Sequence, residues 1–361
     1  MSKKQQLPVT LLTGFLGAGK TTFLNRPIAA FPDKRFAIIE NEFGEESIDH
    51  ELVIRSEDGI FELSNGCICC TLSAELADTL ARLLTRQDQF EHLLIETTGM
   101  ADAGEVAGIF LADPEVKAHF HLDSIVGLVD AEQFFDVVDE QEEVRRQIAF
   151  SDLLLVNKSD LVDQVQMERV DKALKELQPF AEVVSTVQAD PGPELMAGIL
   201  NRNAFHPDRV NAQLADDHGH GHHHHHEHSH DHHHHHNHDH DHHHGHDHDH
   251  SHGHHHHSDV VTHSFRFTQP LDPLRFNHWM QVLLMMQGSR FYRIKGILQF
   301  PFREEQVVFQ SVGKRHMSAA GKIWEAGEER ESRIVFIGKD LRQDILAKGL
   351  RNCFWQGLSG S

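Results

Sequence analysis

The chain has 361 residues, 39% of them hydrophobic and 24% charged, with a formal net charge of -22 when histidine is counted as neutral. That length fits two domains of about 100 to 200 residues each, and an acidic chain with no basic, aromatic-interleaved stretch argues against a nucleic-acid partner. No apolar run approaches the roughly 18 to 20 residues that cross a bilayer, and no signal peptide is evident, so a cytoplasmic protein with no membrane partner is expected.

Residues 9–13 read as a strand that runs into Gly14-Phe-Leu-Gly17-Ala-Gly19-Lys20-Thr21-Thr22 and then a helix-favouring stretch. This is the pattern G-x-x-x-x-G-K-[ST], in which Gly14, Gly17 and Gly19 let backbone N–H groups wrap a polyphosphate at a helix N-terminus. Lys20 is expected to reach the β- and γ-phosphates, Thr21 to ligate Mg²⁺ through its hydroxyl, and Thr22 to complete the loop. Pro27 falls in the second or third turn of the following helix, where an interior proline costs about 3 kcal/mol, so a short helix is expected.

Residues 36–40 read as a second strand, followed by the acid-rich Glu40-Asn-Glu42-Phe-Gly-Glu45 and by Asp49. Three of the four cysteines then fall together in Cys67-Ile-Cys69-Cys70. Such clustering points away from a disulfide framework and toward a metal or redox site, with reduced core cysteines as the plainer alternative. Three soft thiolates suit Zn²⁺ and leave one tetrahedral position open for a carboxylate, a water or an acceptor protein.

After a helix at 74–84, the apolar strand 92–96 ends in Glu96-Thr-Thr-Gly99. Here Glu96 is expected to hold Mg²⁺ through a water and the Gly99 amide to meet the γ-phosphate, although a strand followed by a capped helix would look similar. Strands at 124–129 and 153–157 follow, and the second runs into Asn157-Lys158-Ser159-Asp160. The Asp160 carboxylate would accept both guanine N1–H and the 2-amino group, Asn157 would face the O6/N7 edge, and the Lys158 stem would cover the ring. Adenine offers neither donor, so GTP is favoured over ATP. A helix at 164–177 and a strand at 182–185 complete an alternation that implies a mostly parallel α/β sheet.

From 218 to 257 the composition collapses to 27 histidines in 40 residues, with Asp, Glu, Gly, Ser and Asn for the rest. Nothing there can form a core, so a disordered linker is expected. Imidazoles with interleaved carboxylates would bind Zn²⁺, Ni²⁺, Cu²⁺ or Co²⁺ without discriminating among them. Beyond it, strands at 264–268, 291–299, 306–312 and 333–337 and helices at 273–286 and 340–350 suggest a ferredoxin-like α+β module.

Residues 14–22, the acidic segment from Glu40 to Asp49, Cys67 to Cys70, Glu96 to Gly99 and Asn157 to Asp160 together resemble the CobW-like GTPases. These belong to the SIMIBI class of P-loop GTPases and are related to the nickel chaperones of hydrogenase and urease maturation. The resemblance extends to Arg293-Ile-Lys-Gly296 and to residues 333–338, and covers nearly the whole chain outside the histidine tract. It implies a P-loop GTPase domain at 1–205, a histidine-rich metal-binding linker at 206–259 and a CobW-like C-terminal domain at 260–361. It further implies a GTP-driven metallochaperone that carries zinc on Cys67, Cys69 and Cys70 and passes it to a client metalloprotein. In that likeness residues 40–49 form the first switch, with Asp49 near Mg²⁺ and Glu40, Glu42 and Glu45 as additional metal ligands. Read without the family, the same acids make a solvated loop. Three alternatives stay open: delivery of cobalt or nickel, a metal buffer working through the histidine tract, and, more weakly, a P-loop small-molecule kinase. Homo-oligomerisation and the group that activates the hydrolytic water are not assigned.

Overall fold

The computed structural model describes residues 6–40, 52–56, 59–63, 72–97, 102–215, 259–325 and 327–357. The apolar run 7–14 forms β1 (Leu7–Gly14), buried along nearly its whole length, as a central parallel strand covered on both faces must be. In chain order there follow α1 (Lys20–Ala30), β2 (Phe36–Glu40), β3 (Leu52–Ser56), β4 (Gly59–Leu63), α2 (Leu72–Leu84), β5 (His92–Glu96), α3 (Ala103–Ala112) and α4 (Pro114–His119). Next come β6 (Phe120–Asp130), α5 (Phe134–Val138), α6 (Glu142–Phe150), β7 (Leu153–Asn157), α7 (Gln164–Leu177), β8 (Glu182–Ser185), α8 (Pro193–Ile199) and α9 (Pro207–Ala215).

These strands make one sheet in the order β4-β3-β2-β5-β1-β6-β7-β8. The six from β2 to β8 are mutually parallel, while the hairpin β3-β4 adds to β2 antiparallel. The chain winds to one side of β1 first and then to the other, so β1 stands at the switch point where an open α/β sheet receives ligands beyond its carboxyl edge. Gly14, Glu96 and Asn157 all close their strands at that edge. Pro27 does not end the first helix: α1 has 11 residues, an ordinary length, and continues past the buried Pro27, whose carbonyl accepts the Phe31 N–H at 3.0 Å.

The C-terminal module comprises β9 (Val260–Phe267), α10 (Pro273–Gln287), β10 (Phe291–Leu298), β11 (Glu305–Val312), β12 (Arg315–Ile323), β13 (Ser332–Lys339) and α11 (Gln343–Asn352). Its sheet is antiparallel throughout, in the order β12-β11-β10-β13-β9, so β13 lies between the two strands that α10 connects. This is the split β-α-β arrangement of an α+β module, with one strand, β12, that the apolar pattern does not announce. Residues 207–215, expected as the start of a linker, form α9 because Val210 and Leu214 supply one buried i, i+4 stripe. Residues 216–258 lie outside the described residues.

One hydrophobic cluster spans both sheets: Phe150 and Val210 share it with Tyr292, Val308, Val335 and Ile337. Within this contact β10 turns two cations inward. Arg293 Nη2 lies 2.9 Å from Asp152 Oδ1 and Lys295 Nζ lies 3.4 Å from the same oxygen, with all three side chains at most 2% exposed. Burial pushes the Lys295 amine down to about 8, against the pull of Asp152. The surplus positive charge is met by the Phe205 ring, 4.4 Å from the Arg293 guanidinium, and by Gln213 Oε1, which accepts from Lys295 at 2.8 Å.

Asp152→Ala leaves two buried cations without a counter-charge and should cost about 3 to 5 kcal/mol in chemical denaturation, whereas replacing all three charges by apolar residues should recover most of the loss. A second, half-buried acid sets a pH dependence. Burial, aided by Asp102, Glu142 and Glu105 and opposed by Arg146, pushes the Glu143 carboxyl from 4.5 up to about 7. The folded chain therefore keeps a proton that the unfolded chain releases near 4.5. Stability should fall by something on the order of 2 to 3 kcal/mol as pH rises from about 4.5 to 7, then level off. Glu143→Gln should flatten that segment of the stability curve measured by urea titration.

Candidate nucleotide site

The phosphate loop leaves β1 with no space for a side chain at two of its glycines. Gly14 has φ 139°, and a Cβ there would lie 2.3 Å from the Leu128 carbonyl oxygen. Gly19 has φ 105°, and its Cβ would lie 2.5 Å from Asn157 Nδ2. Gly17 also takes a positive φ, 79°, that only glycine adopts readily. Lys20 opens α1 and is only 6% exposed; its ammonium donates to the Gly14 carbonyl at 2.8 Å and the Phe15 carbonyl at 3.2 Å. Burial pulls its pKa down and Glu96 pulls it back up.

Thr21 Oγ1 donates to Glu96 Oε1 at 3.2 Å and Oε2 at 3.3 Å, so the phosphate loop and the end of β5 meet in a hydroxyl and a carboxylate. Such hard oxygen donors suit Mg²⁺. Thr22 is exposed on the next position of α1. Thr97 is fully buried and donates both its N–H (2.9 Å) and its Oγ1 (3.1 Å) to Leu12 O, which pins the chain leaving β5 against β1. Gly99 lies outside the described residues.

At the other end of the site the Asn157 amide is used within the protein. Nδ2 donates to Ala18 O at 2.9 Å, while Oδ1 accepts from Ala189 N at 2.7 Å. Asn157 thus ties the phosphate loop to the segment after β8, and the second N–H of Nδ2 is left for the guanine edge expected from sequence. Lys158 takes a left-handed φ of 59° and its ammonium pairs with Asp130 Oδ2 at 2.6 Å. Asp160 is exposed in the short 3₁₀ turn that follows. Three residues missed in the sequence, Thr186, Gln188 and Ala189, follow β8 and meet these loops. Thr186 O accepts from Ser159 Oγ at 2.9 Å, Gln188 O accepts from Arg26 Nη2 at 2.7 Å, and Gln188 and Ala189 both have φ 52°. Their signal was available: they follow the edge strand β8 at the carboxyl end of the sheet, where ligand loops gather.

The metal-ligand candidates are not reached. The Glu40 side chain, Glu42, Glu45, Asp49, Cys67, Cys69 and Cys70 lie outside the described residues, and among the described residues no group of three His, Cys, Asp or Glu side chains is placed to hold a metal. Their approach is nevertheless constrained by register. Leu63 pairs with Leu52, Leu52 with Ile39, Ile39 with Ile95 and Ile95 with Leu11. β4 runs parallel to β2, so the chain leaves Leu63 toward the cysteines at the same carboxyl edge that holds Thr21 and Glu96.

Residues 8–185 match the nucleotide-binding domain model CobW/HypB/UreG, and residues 260–354 match the cobalamin synthesis protein cobW C-terminal domain. The zinc chaperone CobW of Pseudomonas aeruginosa is 31% identical over 384 residues, covering 97% of this chain and 92% of that protein. The zinc chaperone YjiA of Escherichia coli is 29% identical over 344 residues, covering 94% and 96%. The crystal structure of the Zn(II)-bound YjiA GTPase has the same fold, with a TM-score of 0.66 at 23% identity over 98% of this chain and all of that one.

Asn157→Ala should strip Ala18 O and Ala189 N of their partner at once. Each buried group left unpaired costs about 1 to 3 kcal/mol, so nucleotide affinity should drop at least tenfold in isothermal titration even with Lys158 and Asp160 intact. An unchanged affinity would remove Asn157 from the framework of the site.

Proposed function

This chain belongs to the CobW family, a CobW/HypB/UreG nucleotide-binding domain followed by a cobW C-terminal domain, and on that premise we propose that it is a GTP-hydrolysing zinc metallochaperone. The observation that carries the nucleotide half is the meeting of Thr21 with Glu96 beside the buried Lys20. In this reading the Lys20 ammonium exchanges the Gly14 and Phe15 carbonyls for β- and γ-phosphate oxygens, which are better acceptors for a cation. Thr21 and, through a water, Glu96 would hold Mg²⁺, which neutralises charge on the phosphates. Asp160, exposed at the tip of its turn, accepts the two guanine donors, while Lys158 lies along the ring and Asn157 keeps the two loops in register.

The zinc is cargo. Cys67, Cys69 and Cys70 supply three thiolates, with Glu40, Glu42 or Glu45 for the remaining position, and the client metalloprotein competes for that open position. The strand register supports this assignment, because the segments that carry the acids and the cysteines leave the sheet at the nucleotide edge. Residues 218–257 would serve as a low-specificity reservoir of metal. A buffer working through the histidine tract alone gives no reason for Lys20, Thr21 and Glu96 to be assembled at the sheet edge.

The test is linkage. Zinc affinity at the cysteines should differ between GTP-analogue-bound, GDP-bound and nucleotide-free protein by about 1 to 3 kcal/mol, and zinc must shift GTP-analogue affinity by the same factor. Replacing Cys67, Cys69 and Cys70 together with serine should abolish that linkage while nucleotide binding persists. Competition titrations on protein lacking residues 218–257 measure both. Equal zinc affinity in all three nucleotide states would leave the buffer in front.

A further inference from the structure

Asp102 stands five positions after Thr97, at the far end of the segment that begins with Glu96. Its two oxygens have different tasks. Oδ1 caps α3 by accepting the Gly104 N–H at 2.8 Å, and Oδ2 receives Arg146 Nη2 at 2.7 Å. α3 is also pressed directly on α6: a Cβ at Gly104 would lie 2.8 Å from the Phe150 ring. The start of α3 therefore cannot shift without either moving α6 or breaking the Asp102 pair.

On its other side α6 holds the C-terminal sheet. The Arg146 guanidinium lies 5.7 Å from the centroid of the Tyr292 ring in β10, and Glu142 accepts both the Tyr292 hydroxyl at 3.4 Å and the Lys339 ammonium from β13. Arg146 has a second acceptor within reach, Glu143 Oε2 at 3.5 Å. Its own Nε and the other oxygen of Glu143 are both buried without partners. The guanidinium is thus shared between the carboxylate that caps α3 and one on its own helix, and it is not saturated by either.

We infer that Arg146 is a positioning residue for the nucleotide reaction: by holding Asp102 it sets where the segment after Glu96 ends, and through Tyr292 it links that position to the seating of the C-terminal sheet. Nucleotide state then changes the balance of Arg146 between Asp102 and Glu143, and the C-terminal module follows through α6. The groups in contact with this guanidinium are Asp102 at the N-cap of α3, Glu143 and Phe150 from α6 and Tyr292 from β10, while Glu105, Glu142, Arg145 and Lys339 add charge around Glu143, Tyr292 and Glu142 beside it. The inference rests on the GTPase reading above.

The test uses the full chain, its GTP turnover and amide hydrogen exchange in 291–298 and 332–339, with GDP and with a non-hydrolysable GTP analogue. The parent protein should hydrolyse GTP and show nucleotide-dependent exchange in both strands. Arg146→Gln should lower kcat about five- to tenfold, within the ordinary range of intersite coupling, with KM within about twofold, and should erase the nucleotide dependence of exchange. Arg146→Lys, which keeps a cation for Asp102, should restore part of kcat. Glu143→Gln should remove an inflexion near pH 7 from the kcat profile, because neutral glutamine no longer competes for the guanidinium. Failure of the parent protein to hydrolyse GTP would overturn the functional reading itself. A parent that hydrolyses GTP, with Arg146→Gln matching it in kcat and in nucleotide-dependent exchange, would overturn this inference alone. Should Arg146→Gln fail to fold, Arg146→Lys and Tyr292→Leu decide by the same two readouts, unchanged values again counting against it.

Discussion

A single buried amide holds the two halves of the nucleotide site together. Ala18 and Asn157 are 139 positions apart, yet the Asn157 side chain bonds the Ala18 carbonyl and, with its other end, the Ala189 N–H. The close approach this requires leaves no room for a Cβ at Gly19, so the glycine serves the amide as much as any phosphate. A net hydrogen bond contributes only about 0.5 to 1.5 kcal/mol, but a buried carbonyl or N–H left unpaired costs about 1 to 3. That asymmetry makes the amide a constraint on geometry more than a source of stability. Phosphate loop and base loop share one frame because neither can withdraw from it cheaply.

Much of the parallel sheet was legible because its strands are apolar runs of strand length bounded by polar turns. Residues 36–40, 92–96, 153–157 and 182–185 form strands where the pattern places them, and the amphipathic 164–177 forms a helix with Asp163 as its cap. What escaped was structure without a pattern of its own. β12, Arg-His-Met-Ser-Ala-Ala-Gly-Lys-Ile, is an edge strand with no fully buried residue, so nothing in it alternates strongly. α3 is buried nearly all round and lacks the polar stripe that advertises a helix. Within the site, Lys20, Thr21 and Glu96 were readable because phosphate chemistry dictates their types and spacing. The partners of Asn157 were not, since they are backbone groups that any sequence would supply and only the fold brings near.

The contact between the two modules shows a different kind of hidden information. Along β10 the alternation sends Ile294 and Leu298 toward α10 and α11, and Arg293, Lys295 and Ile297 toward the nucleotide-binding module. Two cations on a buried face of a strand demand an anion from another element, and Asp152 meets that demand at the start of β7. An ionic cluster of this kind adds little net stability compared with apolar residues of the same volume. Its directional requirement is greater, because sliding β10 past β7 by one residue pair would strand two charges in a dry interface. The apolar cluster around Tyr292, Val308 and Val335 supplies the area of contact, and Asp152 supplies its register.

Strand order then sets how the cysteine segment and the phosphate loop are connected. Between β4, from which the cysteine segment departs, and β1, which carries the phosphate loop, lie four strand spacings, or about 19 Å at about 4.8 Å each. The intermediate positions are occupied by β3, β2 and β5, and the final residues of β2 and β5, Glu40 and Glu96, are register partners one spacing apart. The chain that continues from Glu40 reaches β3, and from β3 the hairpin leads to β4 and the cysteines. The segment that begins at Glu40 is thus the shortest stretch of chain joining the two: it leads through the β3-β4 hairpin toward the cysteines on one side and starts beside the Mg²⁺-ligand candidate Glu96 on the other.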